Sequence, residues 1–308
     1  MPPAARPDLS IIIVSFNTRE LLRACLDSIW ITALDLPIEV LVINNTLDDT
    51  DLLAPLQQQF PAVRWFQNDR PLGFAANQNQ LMRHASGRYL MPLNSDTIVT
   101  PMAGQGLVKF MDQHPEVGLA GPRLVRPSGE LQPSCRNFPN AITHFLEASG
   151  FWRFLKNNPL IGRWYYLCSP HDTLAEVDWL TGACFIVRAA AAQQVGYFNS
   201  EWFPIMYGED IEWCWRLRRA GWQIMFDPEV TIIHLENQSP IDDRAVRMYE
   251  GFYTFCVHCY SSLKQRSIRA ATVLALLPRY WLTRDPQRRA IYEQLMALPM
   301  PSTAKNKP

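Results

Sequence analysis

The first ordered pattern in the chain is "LSIIIVSFN", an unbroken β-branched apolar run, followed by "TRELLRACLDSIW", where Leu22, Cys25, Leu26 and Ile29 share one helical stripe. An unbroken run suits a strand covered on both faces, and the three-to-four spacing suits the helix that covers it. The alternation repeats. "IEVLVINN" predicts a strand, "TDLLAPLQQQF" a helix, "AVRWF" a short strand, "GFAANQNQLMRHASG" a helix closed by Gly87, and "RYLMPLN" a strand ending at "NSDT". Such an order predicts an α/β fold with a mostly parallel sheet flanked by helices, and ligands then bind beyond the carboxyl ends of the strands.

After Pro122 the pattern changes. "LVRPSGELQ" predicts a hairpin turning at Pro-Ser-Gly, residues 134–175 are aromatic with little periodicity, "VDWLTGACFIVR" predicts a strand, and "AAAAQQVG" a short helix. A helix from about Asp210 to Ala220 is stopped by Gly221, and "WQIMFDP" and "VTIIHLE" predict two further strands. Beyond Pro240 the chain is helical, with Phe252, Phe255, Cys259 and Leu263 on one stripe. The expected organisation is a first half over 1–125, a second half of the same domain over 126–240, and a C-terminal helical extension over 241–308. There is no internal repeat.

Composition narrows the class. With 308 residues, 48% hydrophobic and 19% charged, the chain can bury a substantial core. Its 29 basic and 29 acidic side chains cancel, which argues against a nucleic-acid partner recruited by overall charge. The balance is uneven, because the segment from Ser261 onward carries nine Lys and Arg against two Asp and Glu, a surplus of +7. Seven cysteines without framework spacing and an N-terminus lacking an apolar signal core predict a reducing, cytoplasmic setting. "CVHC" has no second pair to complete a zinc site and reads as helix packing. No apolar run reaches the ~20 residues of a spanning helix.

Three polar clusters interrupt the apolar elements. Asn94-Ser95-Asp96 follows a strand, where a carboxylate can hold a divalent cation beside a diphosphate, although an Asx-type turn is the plainer reading. His234, late in "VTIIHLE", is a candidate ligand for the same cation or a hydrogen-bonded core residue. Glu209 and Asp210 precede an apolar helix, a position that suits helix-end charges and equally suits a general base raised in pKa by an apolar wall.

Taken in order, "IIIVSFNTRELLRACLDSI", "LGFAANQN", "LNSDT", "VDWLTGACFIVR", "YGEDIEWCWRLRRAGW" and "IIHLENQS" resemble the family 2 nucleotide-sugar glycosyltransferases of GT-A fold, most closely the rhamnosyltransferase-like branch. The likeness covers roughly residues 9–240 and takes in "SGELQPSCRNFP". It implies an inverting, metal-dependent transfer of rhamnose or another hexose from a dTDP- or UDP-sugar to a glycan or polyprenyl-linked glycan in cell-surface polysaccharide synthesis. By the same resemblance Asp210 is the catalytic base and Glu209 its supporting acid. Asp96 and His234 hold Mg²⁺ or Mn²⁺ on the donor diphosphate, with Asn94 beside them. Ser15, Asn17, Asn44 and Asn79 face the donor nucleotide.

Two departures stand out. Asn44 replaces the acid that family members commonly use to accept from the base, and Asn94 replaces the first acid of the DXD element. Both keep an accepting oxygen but lose a charge. A catalytically weak nucleotide-sugar-binding protein of the same fold is therefore the alternative. A nucleotidyltransferase is disfavoured because "SFNTRELL" lacks a Gly-rich phosphate loop. For the basic C-terminal segment two readings stay open: an interfacial helix around Arg279, Tyr280, Trp281 and Arg284 at the inner face of the cytoplasmic membrane, or a helix packed on the catalytic domain or against a second copy.

Overall fold

The computed structural model describes residues 6–32, 35–46, 50–156, 158–162, 164–235 and 244–301. Leu47 and the last residues of "IIHLENQS", from Glu236, lie outside the described residues. In chain order the first half comprises β1 (Leu9–Ser15), α1 (Arg19–Thr32), β2 (Ile38–Asn44), α2 (Thr50–Gln59), β3 (Arg64–Gln67), α3 (Phe74–His84), β4 (Tyr89–Asn94), β5 (Thr97–Val99), α4 (Ala103–Gln113) and β6 (Val117–Val125). The second half adds β7 (Leu131–Gln132), β8 (Cys135–Arg136), α5 (Ala141–Ser149), α6 (Trp152–Leu155), α7 (Pro159–Gly162), β9 (Ala175–Glu176), β10 (Trp179–Leu180), β11 (Ile186–Arg188), α8 (Ala189–Val195), α9 (Glu209–Arg219) and β12 (Gln223–His234). Three helices close the described chain: α10 (Arg244–Cys259), α11 (Ser262–Leu282) and α12 (Pro286–Ala297).

One sheet runs through both halves in the order β3-β2-β1-β4-β11-β6-β12-β5. The block β3-β2-β1-β4 is parallel, as the unbroken apolar runs require. β11 is antiparallel to both of its neighbours, β4 and β6, whereas β12 returns parallel to β6. Two apolar layers cover the sheet, one beneath α1 and α4, the other beneath α3, α8 and α9.

Several expectations are corrected. "WQIMFDP" and "VTIIHLE" are one strand, β12, whose register against β6 shifts between Asp227 and Thr231. Pro228 lies inside that irregularity, a place where a strand tolerates proline. "VDWLTGACFIVR" divides, since β10 pairs with β8 in a separate two-stranded sheet and only β11 joins the main one. Gly87 does not cap α3, which ends at an extended Ala85. Gly87 instead lets the chain press against Ser10, whose Oγ accepts from its N–H at 2.8 Å. The helical stripe through Leu263 fails because α10 stops at Cys259. Leu263, at the start of α11, is 79% exposed, and α10 buries Val246, Tyr253, Phe255, Cys256 and Val257. Cys256 and Cys259 both lie within α10 as free thiols. The hairpin between β6 and β7 forms as expected, with Gly129 at φ +81°.

The C-terminal helices complete the body. α11 packs along α5, burying Ile268, Ala271, Thr272, Ala275 and Leu276. Thr272 Oγ1 is shared by His144 of α5 at 2.9 Å and Tyr253 of α10 at 2.8 Å.

Candidate active site

The irregularity in β12 decides where His234 goes. Beyond it, Ile232–His234 pair antiparallel with β5, and His234 falls opposite Thr97, the residue after Asp96. Asp96 sits in the turn between β4 and β5, and its carbonyl accepts from Leu235 N–H at 2.9 Å. This brings His234 Nε2 within 3.2 Å of Asp96 Oδ1, with both side chains nearly buried. His234 Nδ1 is 2.9 Å from Gln132 Oε1, an acceptor, so Nδ1 carries the proton in that bond and Nε2 faces the carboxylate. A carboxylate beside an imidazole whose other nitrogen is held by an outer partner is a donor set that can hold a divalent cation. Among the described residues no cluster of three or more His, Cys, Asp and Glu offers itself to a metal ion, so further ligands to a cation here would be amide or backbone oxygens, substrate oxygens or water.

The acid pair is positioned by an unusual backbone. Tyr207 and Gly208 both have positive φ, +78° and +97°, immediately before α9. Gly208 is required there, because a Cβ would lie 2.7 Å from the carbonyl oxygen of Gly251 in α10. Gly251 in turn presses on Tyr207 O. The two glycines lock the first turn of α9 onto α10. Neither acid caps the helix in the ordinary way: the N-cap is Gly208, without a side-chain cap. Asp210 accepts instead from Ile211 N–H at 2.8 Å and from Gly182 N–H at 3.2 Å, the latter on the loop after β10. Glu209 Oε2 is buried with no partner. Burial pushes both carboxyls well above the usual carboxylate range. The charge of its neighbour pushes Glu209 further, while the two N–H donors hold Asp210 back.

Both clusters open into one cleft of about 460 Å³, lined by Asn94, Asp96, His234, Glu209 and Asp210 among others. Five of the nine candidates are thus brought together. Ser15, Asn17 and Asn44 lie at the adjoining ends of β1 and β2. Ser15 Oγ lies 3.3 Å from Thr18 Oγ1, which lies 2.9 Å from Ser95 Oγ, so this edge is tied to the Asp96 turn. Asn17 has φ +55° and donates its N–H to Thr46 Oγ1. The Asn44 amide is engaged, donating to Gln67 Oε1 and Thr46 O and accepting from Thr46 N–H.

Asn79 lies apart from these. It does not line the cleft, because its amide accepts from Phe198 N–H at 2.9 Å and donates to Phe198 O at 2.7 Å, fastening α3 to the loop before α9. The reading by residue type also missed Gln132, Arg136 and Gly182. The available signal was "SGELQPSCRNFP", which carries the first two. A larger, more open depression of about 720 Å³ beside α4 contains none of the candidates.

The parallel βα block, the antiparallel return and the acids beyond the strand ends define a GT-A glycosyltransferase. The chain belongs to glycosyl transferase family 2: that family's model matches residues 10–164, and the model for glycosyl transferase family group 2 matches 89–284. It is 26% identical over 277 residues to the N-acetylglucosaminyl-diphospho-decaprenol L-rhamnosyltransferase of Mycobacterium tuberculosis, covering 85% of this chain and 88% of that protein. It is 29% identical over 241 residues to the O-antigen biosynthesis protein RfbC of Myxococcus xanthus, covering 77% of this chain and 18% of that one. In structure it is similar to the mannosyltransferase PcManGT of Pyrobaculum calidifontis, solved with GDP-Man and Mn²⁺, with a TM-score of 0.58 and 15% identity over 95% of this chain and 75% of that chain.

Proposed function

We propose that this glycosyltransferase moves a sugar, rhamnose or another hexose, from a dTDP- or UDP-sugar to a hydroxyl of a glycan or lipid-linked glycan acceptor, with inversion at the anomeric carbon. The observation that carries the reading is the single cleft joining Asp210 to the Asp96–His234 pair. Asp210 accepts the acceptor's hydroxyl proton. Its two backbone donors fix the carboxylate while the apolar surroundings raise its basicity. Glu209, whose Oε2 is buried without a partner, is raised by burial and by the neighbouring Asp210 charge, so it holds its proton while Asp210 is the one free to ionise. Asp96 and His234 would hold Mg²⁺ or Mn²⁺, which, when bound, neutralises charge on the departing diphosphate. The relatives support the donor and acceptor classes, since one is named a rhamnosyltransferase acting on a diphospho-decaprenol glycan and a structural neighbour was solved with a nucleotide sugar and Mn²⁺.

The test is Asp210→Asn. It keeps the shape and should cut transfer by about 10²–10⁴-fold while leaving donor affinity within a fewfold, as read by turnover and by donor-induced thermal shift. Because the proton must be absent from Asp210 before it can act, wild-type turnover should rise with pH through a value above the ordinary carboxylate range, and this limb should vanish in the variant. Transfer within a fewfold of wild type would remove Asp210 from the role.

A further inference from the structure

A second cavity of about 450 Å³ lies behind Asp210, within the ~300–1,000 Å³ range of sites that enclose most of a small ligand. It shares Arg136, Thr181, Tyr207, Asp210 and Met248 with the catalytic cleft, so the two spaces meet at the acid. Away from Asp210 its character changes. The walls become Tyr249 and Phe252 of α10, Leu276 of α11, and Ile291 and Leu295 of α12. At the junction stands Arg136, whose Nη1 pairs with Glu147 and whose Nε is buried without a partner. Two wall residues, Met248 and Ile291, remain 49% and 39% exposed, so the apolar space opens to the surface. Beside it the surface stays apolar, with Phe151 and Phe154 near α6 and Trp281 and Leu282 at the end of α11 all at least half exposed.

A sugar acceptor does not need a long apolar trough behind its base. A sugar carried on a lipid does, because the chain beyond the phosphates must leave the polar cleft without remaining in water. We propose that this cavity binds the long apolar chain of a phosphate-bearing lipid acceptor, with its head group entering the catalytic cleft past Arg136. The inference rests on the lipid-linked branch of the proposed function and assigns that branch a place.

The experiment is equilibrium dialysis of the full-length protein against geranylgeranyl phosphate, for wild type, Ala245→Trp and Ile291→Glu. Both substituted residues face the trough and are partly exposed, and thermal unfolding checks that each variant folds. Wild type should bind the probe, and each variant should bind it at least about tenfold more weakly, which is about 1.4 kcal/mol. The preference for a long-chain over a short-chain diphospho-sugar acceptor, measured as a ratio of kcat/KM, should fall by a similar factor. Competition by phosphatidic acid would assign the trough to long-chain lipids in general, and its failure to isoprenoid chains; either supports the assignment. No binding to wild type, or equal binding by all three proteins, overturns it. Donor binding by thermal shift is scored separately, so a failure of the glycosyltransfer reading shows as lost donor binding without altering the dialysis result.

Discussion

Asp96 and Gln132 give the most direct check on the cation site, since one would be a ligand and the other holds the imidazole that completes the pair. Asp96→Ala should weaken Mn²⁺ binding in the presence of a nucleoside diphosphate by at least about tenfold, and Gln132→Leu should fall in the ~10–100-fold range seen when an orienting partner is removed. Water-proton relaxation measures both; unchanged titrations would move the site elsewhere. Glu209 offers a different test. Its folded pKa is raised, so the folded protein holds the proton longer than the unfolded chain does. Stability is therefore fully present at low pH and is lost as pH climbs from the ordinary carboxylate range through the raised value. Glu209→Gln lacks that loss. Its Tm should match wild type near pH 4 and exceed it above neutrality by about 1.5 °C or more, the shift that about 1 kcal/mol gives at about 2.1 cal/mol/K per residue in a chain of 308 residues. Equal curves from pH 4 to 8.5 would show that the carboxyl is not held protonated. Five of the nine residues named from the sequence line one cleft because they stand at element ends. The hydrogen bonds that tie the Asn79 amide to Phe198 were not legible, because a buried amide bridging two backbone groups looks, in sequence, like one facing a ligand.

At the scale of elements, the strands buried on both faces were the easiest to read, because β1, β2 and β4 have no solvent side to interrupt their apolar runs. β12 was harder. Asp227-Pro228 has the chemistry of a break, yet pairing with β6 resumes beyond it and carries His234 to β5. Contacts between α9 and α10 were not legible at all, since close approach of two glycines leaves no periodic trace. That contact yields a prediction. In Gly251→Ala the new methyl meets the Tyr207 carbonyl, so the variant should lose about 1–3 kcal/mol in denaturant unfolding and, by shifting the first turn of α9, lower kcat more than it raises KM. A variant with wild-type stability and kcat would mean that this contact does not hold the acids in place.

For the whole molecule, the open question about the C-terminal segment is answered in part: one face of α11 packs on α5 and α10, while Leu274, Leu277, Trp281 and Leu282 stay exposed. Among the described residues no helix is long and apolar enough to cross a membrane. Arg153 and Arg279 both approach Gly150, between the Phe151–Phe154 pair and the end of α11, so cations flank exposed aromatics. The full chain should sediment with anionic vesicles at low salt and be released at high salt, each well-placed cation contributing about 1 kcal/mol. Phe154→Glu with Trp281→Glu should abolish sedimentation, and protein left in the supernatant at low salt would exclude a membrane surface. Removing α11 would be a poor substitute, because the helix supplies Thr272 to His144.

That shared hydroxyl has a consequence in time. His144 and Thr272 are 128 positions apart, and His234 and Gln132 are 102 apart, so neither side of the cleft can close from local contacts. On the ribosome, where a chain emerges at about 5–20 residues per second, the βα block has all its strands seconds before α10, α11 and α12 emerge. The parallel strands can thus be ordered early, while the cavity behind Asp210 lacks its walls until α10, α11 and α12 emerge.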